Sequence, residues 1–369
     1  MKKLKLTTIL GTRPEIIRLS AVIKLAEQVF EHTLVHTGQN YAFTLNRIFF
    51  ADLDLRAPDH HLDAAGADLG ETIGNIIARS YKLLSEMRPD AVLILGDTNS
   101  ALSAVSAKRL KIPVFHMEAG NRCFDENLPE ELNRRIVDHI SDVNLPYSEQ
   151  ARRNLLAEGL KREYTFVTGS PMREVLESRR PSDILSRLAL EPQKYILLSA
   201  HREENIDIER NFHELVGAVN ALAECYGMPV LYPVHPRSRK ALDAGGVKFG
   251  PLVRLEEPFG FSDYIALQQN SFCVVSDSGT LAEESSILGF PAVSARTSTE
   301  RQEAIDRGGL IIGGLGRTAI LQAVKLAAAL RDAPRAAVPD YTDANVSAKV
   351  CGIVQGYTDV VNRMIWRKY

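Results

Sequence analysis

The feature that most constrains this chain is a pattern that runs through it twice: short apolar segments alternating with longer amphipathic ones. In the first half, Leu4–Leu10, His32–Thr37, Ala91–Leu95, Val114–Glu118, Val143–Leu145 and Tyr164–Thr168 read as strands with helical periodicity between them. Short apolar strands separated by helices imply βαβ units and a parallel sheet. The segment from Ser178 to Asp183 resets the pattern. A second series follows at Tyr195–Ala200, Pro229–Pro233, Val253–Leu255, Cys273–Ser276, Pro291–Ser294 and Leu310–Ile312. At 369 residues the chain exceeds the size at which one core usually stops growing. Two Rossmann-like α/β domains are therefore expected, at 1–178 and 179–345. Thr318–Arg331 reads as a helix and 332–343 as a surface loop. In 346–369, Val350, Ile353, Val354, Tyr357, Val360, Val361 and Ile365 recur at helical spacing, so this last helix is expected to dock back on the first domain.

Composition narrows the class of partner. With 45% hydrophobic and 24% charged residues the chain is an ordinary globular one. Its net charge is −2 and its basic residues are scattered, which gives no footprint for nucleic acid or an anionic membrane. The N-terminal apolar run is too short for a signal-peptide core and no 18-residue apolar stretch follows, so a cytoplasmic location is expected. Cys123, Cys225, Cys273 and Cys351 lie far apart and form no Cys-x-x-Cys pair, so neither disulfides nor a zinc site is suggested.

In a parallel sheet, ligands bind beyond the carboxyl ends of the strands, and here those ends are polar. The first strand runs into Gly11-Thr12-Arg13-Pro14-Glu15, either an anion-binding helix start with a fixed charge from Arg13 or a plain helix start with a solvated arginine. Asp97 and Glu118 end two further strands, as candidate proton-transfer groups or as helix caps and paired structural charges. Pro129-Glu130-Glu131 opens a helix, for which the macrodipole alone is a sufficient reason. His201 and His235 follow strands of the second half, where a titrating role and a structural one both remain open. Asp277-Ser278-Gly279-Thr280, with Glu284 one turn later, has the shape of a phosphate-binding turn followed by a ribose ligand. Gly314-Leu315-Gly316-Arg317-Thr318-Ala319 matches a dinucleotide fingerprint but lies late in the chain, and it reads as a turn.

Gly11-Thr12-Arg13-Pro14-Glu15, His36-Thr37-Gly38-Gln39, Gly96-Asp97-Thr98, Glu118-Ala119-Gly120, Pro129-Glu130-Glu131 with Asn133-Arg134, His201-Arg202-Glu203 and Asp277-Ser278-Gly279 together resemble the non-hydrolysing UDP-N-acetylglucosamine 2-epimerases, in order over nearly the whole chain. The resemblance implies two Rossmann-like domains facing a cleft, the glycosyltransferase-B-like fold. It also implies a homodimer, a UDP-N-acetylhexosamine substrate, and no cofactor or metal. It gives Asp97, Glu118, Glu130 and His201 catalytic roles. Substrate binding falls to Arg13, Arg18, Arg134, His235, Tyr264, Ser278, Gly279, Thr280 and Glu284, with Arg13, Ser278 and Gly279 on the diphosphate, Glu284 on the ribose and Tyr264 against uracil.

Three positions depart from the family pattern. Arg18 stands where lysine is usual. Gln39-Asn40 replaces a Gln-His pair tied to activation by a second UDP-sugar. The run from Gly120 to Asp125, with that from His36 to Tyr41, resembles the branch that converts UDP-2-acetamido-2,6-dideoxy-L-talose to UDP-N-acetyl-L-fucosamine. Within the same fold, a UDP-sugar glycosyltransferase or a non-catalytic UDP-sugar-binding module are the alternatives, and the three carboxylates favour the epimerase. The C2 proton of such a sugar has no adjacent carbonyl to acidify it, so expulsion of UDP from C1 with loss of that proton to a carboxylate is the expected route.

Overall fold

A computed structural model describes residues 3–39, 49–206, 208–234, 239, 248–333 and 336–368. The chain divides into two compact units, one of Met1–Ser178 with Pro339–Tyr369 and the other of Arg179–Val338. In the first, β1 (Lys5–Leu10), β2 (Glu31–His36), β3 (His60–His61), β4 (Ala91–Leu95), β5 (Val114–Met117) and β6 (Val143–Leu145) form one parallel sheet in the order β3-β2-β1-β4-β5-β6. Every residue of β4 and β5 is buried, as strands covered on both faces require.

The second unit repeats the design. Its strands β7 (Ile196–Ser199), β8 (Val230–Pro233), β9 (Val253–Glu256), β10 (Cys273–Ser276), β11 (Ala292–Ser294) and β12 (Ile311–Ile312) lie in the order β12-β11-β10-β7-β8-β9, again parallel. Counted from its own first strand, this is the same arrangement as in the first unit. Each sheet therefore has a switch point where strand order reverses, between β1 and β4 and between β7 and β10. Loops leaving the sheet there diverge and open a crevice for ligands. Helices Glu209–Tyr226 and Arg317–Ala329 pack on one face of the second sheet, where Val216, Val219 and Leu222 meet Ile320 and Val324.

Two elements differ from expectation. The two histidines of β3 are exposed and show no apolar run. Tyr164–Thr168, expected as a strand, makes only a single bridge, Thr165 to Asn144. Its amides at Phe166 and Thr168 bond to the carbonyls of Asn144 and Pro146, but Pro146 has no N–H to return and the ladder stops. The segment 332–343 is also more than a surface loop: Val338 and Tyr341 are fully buried, and Pro339–Tyr341 forms a turn of 3₁₀ helix. Helix Val346–Met364 buries Val346, Val350, Val354 and Val361 and packs against helix Arg13–Val29 of the first unit. All four cysteines are free thiols, with Cys225 exposed and the others buried. Among the described residues, no helix is long and apolar enough to cross a membrane, and no cluster of three or more His, Cys, Asp or Glu side chains could hold a metal ion.

Candidate active site

In the first unit, polar groups collect at the β1/β4 switch point. The chain turns from β1 through Gly11 and Thr12 into helix Arg13–Val29, with Pro14 in the first turn, where a missing N–H costs nothing. Glu15 reaches back to this turn. One of its oxygens accepts from the amides of Gly11 (3.1 Å) and Thr12 (2.8 Å) and from the hydroxyls of Thr12 (2.8 Å) and Ser100 (3.3 Å). Burial pushes this carboxyl up to about 7, a rise that the bonds from Thr12, Gly11 and Thr98 only partly offset. The approach of the strands is close: a β-carbon on Gly11 would stand 1.9 Å from Thr37 Oγ1 and 2.4 Å from Ser100 Oγ. Arg13 lies over the ring of Phe49, 5.4 Å from its centroid.

Asp97, just past β4, is gripped by Arg134, whose Nε and Nη2 donate to one carboxylate oxygen at 2.8 and 2.6 Å. Asn133 donates to the Asp97 carbonyl (2.9 Å) and to Asn99 (3.1 Å), so one turn of helix Pro129–Ile140 holds both the side chain and the backbone of this loop. Arg134 is itself oriented by Glu131, a buried carboxylate at 2.8 Å that also accepts from the Cys123 and Phe124 amides. Glu130, half-buried, sits in the first turn of the same helix.

Glu118, at the end of β5, is buried and adopts φ 64°, a left-handed conformation that a glutamate takes only when its surroundings enforce it. Its Oε2 lies 2.6 Å from Arg18 Nη1, both side chains being almost fully buried, and Asn121 donates to its Oε1 at 3.3 Å. A β-carbon on Gly96 would be 3.7 Å from Glu118 Oε2, which puts this carboxylate beside the residue preceding Asp97. Arg18, expected as a ligand residue, is thus the ionic partner of Glu118. That pairing spans 100 residues of sequence.

In the second unit, Asp277 organises the switch point between β7 and β10. Its Oδ2 accepts from the amides of His201 and Arg202 and from Asn205, each at 2.9 Å, and its Oδ1 lies 3.1 Å from His201 Nδ1. Burial pushes the carboxyl up, but the His201 charge and these bonds outweigh it and hold it at about 2. His201 is thereby fixed while its ring stays about one-third exposed. After β10 the Ser278 hydroxyl bonds that of Thr280 at 2.9 Å, and helix Leu281–Leu288 begins. The backbone at Gly279 runs against Glu300, whose Oε1 would be 2.8 Å from a β-carbon there. Glu284 is buried and accepts from Gln268 at 2.6 Å. Tyr264, one turn before Gln268, lies on the same face of helix Phe261–Asn270. Gln39 is partly buried after β2, whereas Asn40 and His235 lie outside the described residues.

Sequence reasoning gave Glu15, Glu131 and Asp277 no role beyond their place in the motifs, and did not single out His116 or Asp138. Periodicity held a signal for one of them: Asp138 lies four residues after Arg134 on a helix and so shares a face with a candidate site residue.

Comparison with known proteins agrees with this geometry. Residues 24–355 match the sequence model of the family described as UDP-N-acetylglucosamine 2-epimerase. A solved UDP-N-acetylglucosamine 2-epimerase from Rickettsia bellii is 45% identical and superposes with a TM-score of 0.92, covering 99% of this chain and all of that one (100%). The Methanocaldococcus jannaschii enzyme solved in complex with UDP-GlcNAc and UDP is 31% identical, with a TM-score of 0.90 over 95% of this chain and 99% of that one. A UDP-2,3-diacetamido-2,3-dideoxy-D-glucuronate 2-epimerase from Pseudomonas aeruginosa is 33% identical over 330 residues, 87% of this chain and 92% of the relative. A match of this length, with relatives that share both fold and sequence from end to end, means that the chain is an isomerase of the UDP-N-acetylglucosamine 2-epimerase family.

Proposed function

We propose that the chain interconverts C2 epimers of a UDP-linked 2-acetamido sugar by eliminating and re-adding UDP. The observation that carries this reading is the pair of arginine-bound carboxylates, Asp97 with Arg134 and Glu118 with Arg18, at neighbouring strand ends of the first unit. In the reaction a carboxylate takes the proton from C2 as the C1–O bond to UDP breaks, and C1 and C2 become doubly bonded in a 2-acetamidoglycal. A carboxylic acid then returns a proton to the opposite face of C2, and a β-phosphate oxygen of UDP re-forms the bond to C1. Asp97, Glu118 and Glu130 are the proton-transfer groups. Arg13, the Ser278–Thr280 turn and His201 take the charge that develops on the leaving diphosphate, and Glu284 and Tyr264 hold the nucleoside. No step requires a redox cofactor or a metal.

The named substrates of the relatives differ around the ring but keep the 2-acetamido group and UDP. UDP-N-acetylglucosamine and its manno epimer are the first substrates to test. The 6-deoxy-talose sugar is the second, because the run from Gly120 to Asp125 resembles that branch. We place the enzyme in the cytoplasm as a homodimer that makes precursors of surface polysaccharide. The exposed Leu132 and Ile136, one turn apart, offer an apolar strip for the dimer, which light scattering tests directly.

The chemistry is tested by turnover in D₂O on a panel of UDP-2-acetamido sugars followed by NMR. Deuterium should enter C2 of the product, and long incubations should release free UDP and the glycal. A nicotinamide route that took hydride from C2 would return the original hydrogen there, one that oxidised C3 would label C2 but release no glycal, and a glycosyl transfer would release UDP with C2 unlabelled. Epimer carrying protium at C2 with no trace of glycal would refute elimination.

A further inference from the structure

Behind the candidate carboxylates lies a chain of buried ionic groups that the reaction itself does not touch. His116, inside β5, has Nε2 at 2.9 Å from the carbonyl of Gly96 and Nδ1 at 2.9 Å from Asp138 Oδ1. Asp138 also accepts from the Gly120 amide, at 3.3 and 3.1 Å to its two oxygens, and from Arg122 Nη1 at 2.7 Å. Arg122 in turn forks onto Glu158, with Nε and Nη2 at 2.7 and 2.6 Å from its two oxygens. His116, Asp138 and the Arg122 side chain are all essentially fully buried.

The attachment points are specific. Gly96 immediately precedes Asp97, and Gly120 follows Glu118 by two residues. Asp138 sits on the helix that carries Glu130 and Arg134, and the three are spaced by four residues, so they line one face of that helix. His116 and Asp138 thus bind together the two strand ends and the helix that present all three candidate carboxylates. The left-handed backbone of Glu118 needs external restraint, and the Gly120 amide on Asp138 supplies it on one side while the Glu118 amide on the Leu145 carbonyl (3.1 Å) supplies it on the other. Burial pushes the Asp138 carboxyl up, but His116 and Arg122 more than compensate and keep it ionised. Apolar residues of similar volume would generally hold a core at least as well as buried ion pairs. A core that instead ties charged groups to the flanks of a site is better explained by what it positions.

We propose that His116 and Asp138 are positioning residues of the epimerase reaction, which keep Asp97, Glu118 and Glu130 in register for removing and returning the C2 proton. The inference rests on the carboxylate assignment above. Loosening the link should impair return of the proton more than capture of the substrate, because the glycal is held only while an acid stands ready over C2.

The test uses His116→Gln, whose amide nitrogen still reaches Gly96 but not Asp138, and Asp138→Asn, which keeps an acceptor for Gly120 without the charge. Two quantities are read: kcat against KM, and the ratio of released glycal to epimerised product. That ratio is a property of the active molecules and does not change with the fraction folded. Both variants should lower kcat by about tenfold or more with KM little changed, the scale expected of a displacement well under an ångström, and should raise the glycal ratio several-fold. A purely structural role would lower activity with the folded fraction and leave the ratio at its wild-type value, which would overturn the proposal. A variant without turnover supports it only if Trp366 emission and its urea midpoint match wild type, and otherwise counts against it. Asp97→Asn and Glu118→Gln run alongside: if these keep turnover, the carboxylate assignment fails first, whereas if they lose it and His116→Gln does not shift the ratio, only the present inference fails.

Discussion

The carboxyl of Glu15 is held at about 7, so it should leave a signature in the pH dependence of stability that a single substitution removes. The native state binds this proton more tightly than the unfolded chain, where the group titrates near its ordinary 4.5. Stability therefore falls as pH rises between these two values and is flat on either side of them. A carboxyl raised from 4.5 to 7 corresponds to roughly 3 kcal/mol across that window. Glu15→Gln keeps an acceptor for the Gly11 and Thr12 amides but cannot ionise. The difference in unfolding free energy, variant minus wild type, should rise by about 3 kcal/mol from pH 4.5 to 7 and then level off. Any constant offset, such as a poorly placed amide nitrogen, does not change that shape, and the other titrating groups cancel in the difference. The assay is urea unfolding followed by the one tryptophan, Trp366, which packs under Lys108 in the first unit and so reports on the unit that contains Glu15. A difference curve flat across this range would show that Glu15 ionises like a surface glutamate and would refute the burial argument.

Three other outcomes are expected. Asp97→Asn, Glu118→Gln and Glu130→Gln should each lower kcat by at least ~10²-fold with UDP affinity nearly unchanged, and near-normal turnover in all three would remove the proton-transfer assignment. Ser278→Ala and Glu284→Ala should weaken UDP binding by about 1–3 kcal/mol, measured by calorimetry, with wild-type affinity in both locating the nucleotide elsewhere. Gly11→Ala must displace Thr37 and Ser100, so it should cost about 1–3 kcal/mol of stability in the first unit by the same tryptophan assay, and an unchanged midpoint would mean that the β1 turn is looser than its contacts indicate.

What could be read in the sequence was whatever local pattern encodes. Apolar runs gave eleven of the twelve strands among the described residues, most plainly β4, which is buried along its whole length and apolar throughout. Two-residue β3 has no such run, and Tyr164–Thr168 has one but meets Pro146 instead of a full ladder partner. Asp97, Glu118, His201 and Ser278 were visible for the converse reason, as polar residues where an apolar run ends. Pairings between distant segments were not visible. Nothing local distinguishes an arginine that will bind a phosphate from one that will bind Glu118, since both need only a cation on the inner face of the first helix, and the choice is made by where β5 ends. The same holds for Glu15, whose raised carboxyl comes from burial among segments distant in sequence.

The helix Pro129–Ile140 shows how much chemistry one periodicity can carry. Its outward residues Leu132 and Ile136 are exposed, while Arg134 and Asp138 are buried on its inner side with Val137. A helix that packed on the sheet for stability alone would carry these groups the other way round. Burying these groups has a cost, because each buried charge must find a partner, and the partners found are Asp97 and Glu131 for Arg134 and His116 with Arg122 for Asp138. Asp97 is itself a candidate catalytic carboxylate, and His116 touches the Gly96 carbonyl beside it. Charge satisfaction and site geometry are therefore the same set of contacts: the helix cannot shift relative to β4 and β5 without leaving an unpaired charge in the core. Such a penalty is steep and directional where apolar packing is shallow, which suits a reaction in which a proton must leave one face of C2 and return to the other within reach of fixed acids.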